Sequence, residues 1–153
     1  MLELTSKAFK NGEKIPDIYT CKSKEISPPL IWNNVPMGTN SFALIMDDLD
    51  TPIGILNHWV IYNIPLESRE LSENIPHQYN LSDNSIQGRN SMRKIGYMGP
   101  CPPWGAHRYS FTLYALDIIL DENPKMNKRK LLKSIDGHIL EQSNIIGVYS
   151  KKE

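Results

Sequence analysis

The chain has 153 residues, 40% of them hydrophobic, which is long enough to bury the core of one domain and too short for two comfortable ones. Lysine plus arginine and aspartate plus glutamate balance at 17 each, so no global positive field is available to draw in nucleic acid or an anionic membrane. Residues 1–153 are therefore expected to form a single domain, and any anion it binds must be held by a local site.

The first residues, MLELTSKAFKNGEKIPDIY, contain no apolar run of signal-peptide length, and no segment approaches the ~20 apolar residues of a membrane-spanning helix. A soluble, cytoplasmic protein without integral membrane association is expected. The apolar runs are short and bounded by proline, glycine and asparagine, which is the pattern of strands. In chain order the expected strands are Asp17–Cys21, Leu30–Trp32, Ser41–Asp47, His58–Ile64, His107–Leu116 and Asn144–Ser150. Residues 66–96 are polar and read as an irregular excursion over the surface. A helical segment follows Asn127 as N-cap, with Leu131, Leu132, Ile135, Ile139 and Leu140 at helical spacing. Asp136-Gly137 is expected to split it into two short helices. Its lysines and Arg129 read as a solvated outer face. Cys21 and Cys101 have neither metal-knuckle nor redox-motif spacing and read as free thiols.

Chemistry concentrates at strand ends. In His107–Leu116 the side chains alternate, so His107 and Tyr109 share a face with Phe111. The stretch GPCPPWGA that precedes His107 is stiff with proline, and at least one of its X–Pro bonds is expected to be cis. The apolar run FALIM ends in DDLDTP, Asp47 to Pro52, and carboxylates there must be solvated, paired or part of a site. A second strand opens with His58 just after Pro52-Ile53-Gly54. Two histidines and one or two aspartates can thus converge on one pocket, since loops carried by a rigid scaffold commonly bear the site.

SPPLIWNNVP, SFALIMDDLDTP, GILNHWVIYNIP, GPCPPWGAHRYSFTLYALD and the closing GHILEQSNIIGVYSK, taken together and in this order, resemble the phosphatidylethanolamine-binding protein family, in its short bacterial and archaeal, Raf-kinase-inhibitor-like branch. The resemblance implies a mainly β fold, a β-sandwich of two antiparallel sheets with short peripheral and C-terminal helices. It also implies a small anion-binding pocket whose ligand-binding residues match Asp48, Pro52, His58, Pro100, His107 and Tyr109. Leu49 stands where the family has a proline between its two aspartates, which is expected to loosen that turn. The mammalian C-terminal helix that adds a pocket tyrosine has no equivalent in the closing GVYSKKE.

Asp50 and Arg108 read as a structural ion pair beside the site. Asp48 reads as an orienter, because a carboxylate bonded to one imidazole nitrogen fixes the tautomer and favours the charged ring. Trp32, Trp59, Phe42 and Phe111 read as core, Trp104 as a wall of the pocket or a surface residue, and His77 and His138 as structural or solvent-facing. The implied ligand is a small phosphate- or carboxylate-bearing molecule, such as a phosphorylated head group or a nucleotide. A protein partner such as a kinase or protease is a further expectation; no nucleic acid, metal or cofactor is expected. Two competing readings are a pure interaction module that inhibits a kinase or protease, and a hydrolase using His58, His107 and Asp48. No catalytic residue is assigned, since no serine, cysteine or lysine stands as an obvious nucleophile beside a base. If the histidines donate to an anion, affinity should rise as pH falls toward ~6.5, and His107→Ala should spare the fold because the residue sits at a strand entrance.

Overall fold

Residues 1–150 are described by a computed structural model, and residues 151–153, the end of the closing GVYSKKE, lie outside the described residues. The apolar run of β3 (Ser41–Thr51) has the composition of a strand buried on both faces, and it lies at the centre of a five-stranded antiparallel sheet. Its neighbours are β4 (Gly54–Pro65) and β7 (Ala106–Leu116), flanked in turn by β6 (Ile86–Gln87) and β8 (Ile139–Ser150), giving the order β6-β4-β3-β7-β8. A smaller antiparallel sheet, β1-β2-β5, is built from β1 (Glu3–Thr5), β2 (Leu30–Asn33) and β5 (Glu70–Leu71).

Strand alternation sorts the side chains into two cores. Phe42, Leu44 and Met46 of β3 join Trp59, Ile61, Phe111 and Leu113 and pack beneath Leu4, Leu30, Trp32 and Leu71 of the small sheet. On the other face Ala43, Ile45, Val60, Tyr62 and Leu116 are covered by Leu131 and Ile135 of the helix α1 (Lys128–Ile135). Full burial of each large side chain contributes about 1.5–3 kcal/mol, so both layers are anchored to the same three central strands. The mainly β, two-sheet architecture matches the expectation from sequence.

Four expectations from the sequence are corrected. Asp17–Cys21 is not a strand: Pro16 sets a turn, Tyr19 and Thr20 donate back to the carbonyls of Pro16 and Asp17, and Asp17–Tyr19 forms one turn of 3₁₀-helix. The second half of the C-terminal helical pattern is strand. Asn127 caps α1 by accepting from the Lys130 N–H at 2.9 Å, but after Ile135 the chain turns through Gly137 at φ +83°, and Ile139 pairs with Leu116 in the β7–β8 ladder. Cys21 and Cys101 are joined in a disulfide, 80 residues apart in sequence, because the Cys21 N–H donates to the Pro100 carbonyl and draws the two backbones together. The expected cis bond is also absent; all peptide bonds among the described residues, those of the proline loop included, are trans.

Candidate functional site

The edge of the inner core nearest the proline loop changes from hydrocarbon to polar groups. Asp48 pairs in register with Tyr109 across β3 and β7. Two residues earlier on β7, and so on the same face, His107 turns its Nδ1 to Asp48 Oδ2 at 2.7 Å. Both groups are buried, with Asp48 3% and His107 8% exposed. The second carboxylate oxygen of Asp48 accepts the Asp50 N–H at 2.9 Å, which folds the strand end over the pair in spite of Leu49.

His58 reaches this cluster through a break in the strand register. Met46 opposes Trp59 and Asp47 opposes Asn57, so β4 has one residue too many between them, and that residue is His58. Unbroken alternation would place His58 with Val60 and Tyr62 under the helix. A β-bulge instead re-aims it. Its ring stands edge-on to Tyr109, with centroids 5.4 Å apart, and Tyr109 in turn stacks with His107 at 6.4 Å.

The nitrogen protonation pattern follows from the partners. His58 Nδ1 lies 2.7 Å from the Met98 carbonyl, which only accepts, so Nδ1 carries the hydrogen and Nε2 of the neutral ring is an acceptor. Burial holds His58 below the usual imidazole range, against the smaller opposing pull of the Met98 carbonyl and of Asp48, Asp47 and Glu25. His107 Nδ1 likewise donates to the Asp48 carboxylate, leaving its Nε2 with no hydrogen-bond partner among the described residues. The fully buried Tyr109 hydroxyl also lacks a partner, although the Asp48 carboxylate and the Cys101 N–H are close enough to act on it. Burial first, then Asp48, push that phenol far above its ordinary value, so it is a permanent O–H donor.

The remaining candidates separate. Pro100 is buried in the loop wall and its carbonyl holds the Cys21 N–H at 3.1 Å. Pro52 is exposed in the β3–β4 turn, and no hydrogen bond or ring contact joins it to the cluster. Arg108 binds Asp50 through Nε at 2.9 Å and Nη2 at 2.8 Å, and its N–H adds a third bond of 2.8 Å. The Arg108 guanidinium holds the Asp50 carboxyl at about 2. This fork ties the end of β3 to the start of β7, beside the cluster. Trp104 is 70% exposed, whereas Trp32, Trp59, Phe42 and Phe111 are core. His77 bonds the Tyr97 carbonyl and His138 bonds Asp117.

Two contributors went unrecognised in the sequence. The Met98 carbonyl sets the His58 tautomer, and Glu25, at φ +58°, accepts the Gly99 N–H at 3.0 Å and anchors the start of the proline loop. Neither carries a sequence signal, since one is backbone and the other a lone glutamate in a turn. His107 exposes 11% of its side chain and Asp48 5%, so little of the pair reaches solvent.

An Asp–His pair, a second histidine and a tyrosine hydroxyl without a partner thus stand together at one end of the large sheet of a two-sheet antiparallel fold. A sequence profile of the phosphatidylethanolamine-binding protein family matches residues 5–150, and the chain belongs to that family. The UPF0098 protein of Methanothermobacter thermautotrophicus is 47% identical over 150 residues, covering 98% of this chain and 99% of its own length. The UPF0098 protein of Aquifex aeolicus is 46% identical, with 99% and 90% covered. Among solved structures, a putative phosphatidylethanolamine-binding protein homologue from Chlamydia trachomatis superposes with a TM-score of 0.91 at 38% identity, covering 98% of this chain and 97% of that one. Escherichia coli YbcL, described as a member of the mammalian family, gives 0.90 at 28% identity, with 97% and 98% covered. Membership places the chain, at the coarse level, among ligand-binding or interaction modules. No helix among the described residues is long and apolar enough to cross a membrane.

Proposed function

We propose that the protein binds a small phosphate- or carboxylate-bearing ligand in the recess formed by Asp48, His58, His107 and Tyr109, walled by Pro100. The observation that carries this reading is that the rings of His58, Tyr109 and His107 pack side by side while the buried Tyr109 hydroxyl and Nε2 of both histidines have no hydrogen-bond partner among the described residues. A buried hydroxyl without a partner costs about 1–3 kcal/mol, which a ligand oxygen offsets. Their roles differ. Tyr109 and protonated His107 donate to the anion, whereas His58, kept neutral by burial, accepts a hydrogen from the ligand's own O–H or N–H. A phosphomonoester with one proton, or a phosphate linked to an amine, satisfies all three.

Pro52 is not part of this proposal, because it stands apart in the exposed turn. Hydrolysis is not favoured: the only side-chain partner of either imidazole is Asp48, and no hydroxyl or thiol bonds to them among the described residues. For a regulatory role through a protein partner, Trp104, exposed in the proline loop, offers an apolar contact. A cytoplasm would keep the Cys21 and Cys101 thiols reduced in a mesophile, so the expected cytoplasmic setting is tested by trapping their redox state directly in cells.

The test of binding is recovery of the protein under native conditions and mass spectrometry of whatever small molecule accompanies it, followed by calorimetric titration with phosphoethanolamine. Binding should shift the imidazole resonances of His58 and His107 and be lost in Tyr109→Phe/His107→Gln. Unchanged imidazole resonances at saturation would sink the assignment.

A further inference from the structure

Asp47 and Asn57 send their side chains to the face of the large sheet opposite Asp48 and His58, where Asn57 Nδ2 donates to Asp47 Oδ1 at 3.0 Å and Lys128 Nζ reaches Asp47 Oδ2 at 2.7 Å. There a cleft of about 340 Å³ opens between the segment 89–93 and the first turn of α1. That volume lies at the small end of the range for small-molecule sites. Arg89, Arg93, Lys128 and Arg129 line it, and no lining residue is acidic. The only other arginines of the chain are Arg69 and Arg108. Among the described residues Lys128 is neutralised by Asp47, but Arg89, Arg93 and Arg129 form no salt bridge.

The walls are fixed. The Arg89 N–H donates to the Met126 carbonyl at 2.8 Å, and a Cβ on Gly88 would stand 2.8 Å from that same oxygen, so the loop lies hard against the start of the helix. Asn90 is buried and accepts the N–H groups of Met92 and Lys94, while Ser91 Oγ accepts the Asn57 N–H. The side chains therefore project from backbone with little entropy to lose on binding.

The charge placement conflicts with local stability. Lys128 and Arg129 open a helix whose first turn has no acidic residue, and cations there oppose the helix macrodipole. Arg89 and Arg93 add like charge from the facing wall. Beneath them Asn57, 5% exposed, keeps its Oδ1 without a donor. Local rules broken together at one place mark a functional site: an oxyanion answers the unpaired guanidinium groups and the helix N-terminus, while Asn57 Oδ1 calls for a hydroxyl donor on the same ligand. We propose that this cleft is a second oxyanion site, separate from the His107 recess, for a phosphorylated small molecule of sugar-phosphate size. Arginine forks take the phosphate oxygens in pairs, and a ligand hydroxyl or the water it carries satisfies Asn57 Oδ1.

The test is calorimetric titration of the full chain with ribose 5-phosphate, with amide chemical shifts to locate the probe. Wild type should bind, with shifts centred on Arg89, Ser91 and Arg129. Arg89→Ala and Arg129→Ala should each weaken binding by about 10- to 100-fold, with only partial recovery in the lysine variants, which lack the fork. Lys125→Ala and Lys133→Ala remove the same charge outside the cleft and should leave affinity within about twofold. The proposal is overturned if wild type shows no binding at about 1 mM probe, if the shifts fall only on His107 and Tyr109, or if all four alanine variants lose affinity equally.

Discussion

The Nδ1 of His107 stands 2.7 Å from Asp48 Oδ2, with both groups enclosed at the end of the inner core. His107 is therefore the main partner of a buried carboxylate as well as a ligand candidate, and the strand-entrance argument that made His107→Ala harmless to the fold does not survive. Without the ring, Asp48 keeps only the Asp50 N–H. His107→Ala should lower unfolding free energy by about 1–3 kcal/mol at neutral pH, the cost of leaving a buried acceptor short of a donor. Adding Asp48→Asn should recover part of that loss. Urea denaturation of the two variants decides it, and a single variant as stable as wild type would contradict the pairing.

Tyr109 makes the opposite prediction. Its hydroxyl is buried and unpartnered, so Tyr109→Phe removes an unsatisfied group and should leave stability unchanged or raise it by up to about 1 kcal/mol. The same change should weaken oxyanion binding by about 1.5–3 kcal/mol, because a donor to a charged group is lost. Thermal denaturation and phosphoethanolamine titration on one preparation read both effects. Lower stability with unaltered affinity would show that the hydroxyl has a structural partner instead.

The shared face of His107 and Tyr109 was legible because strand alternation is strict along β7, whereas Asp48 was legible only as a carboxylate closing the apolar run of β3. His58 was grouped with His107 and Asp48 from its place near a strand end and from the family resemblance, not from strand alternation. Its own strand pattern points it to the helix-covered face, and the bulge that reverses it depends on pairing with β3, which a single strand does not encode. The same limit explains Ile139 and Leu140. Helical spacing and the start of a strand look alike until Leu116 is available as a partner across the ladder. The disulfide was hidden for a related reason, since 80 residues separate two cysteines that meet only when the proline loop docks on the 3₁₀ turn.

That disulfide has a measurable consequence. It joins the proline loop to the segment carrying Tyr19 and Thr20, and the loop supplies both Pro100 and the Met98 carbonyl that orients His58. Cys21→Ser/Cys101→Ser should lose about 2–4 kcal/mol of stability, from the entropy regained by the unfolded chain when so long a loop is no longer closed. Wild type in reductant should match the double variant. If wild-type stability is indifferent to reductant and equal to that of the variant, the two cysteines are not bonded in solution.

The pH dependence of stability has a sign set by His58. Burial holds its folded-state pKa below the unfolded value of about 6.5, so the unfolded chain takes up a proton that the native ring refuses. Stability is thus unaffected by this group above about pH 6.5, and it falls as pH drops from there toward the folded pKa, by at most about 1.4 kcal/mol per pH unit. Asp50 acts in a separate window. Its carboxyl is held at about 2 by Arg108, so its contribution is present at neutral pH and fades only as pH falls through the acidic range toward that value. His58→Gln keeps a donor for the Met98 carbonyl and removes the titration. Urea denaturation in steps between about pH 5 and 7.5 should show a shallower decline for His58→Gln than for wild type, with the two curves running parallel above about 6.5. Parallel curves throughout would mean that the buried ring titrates as it does in the unfolded chain.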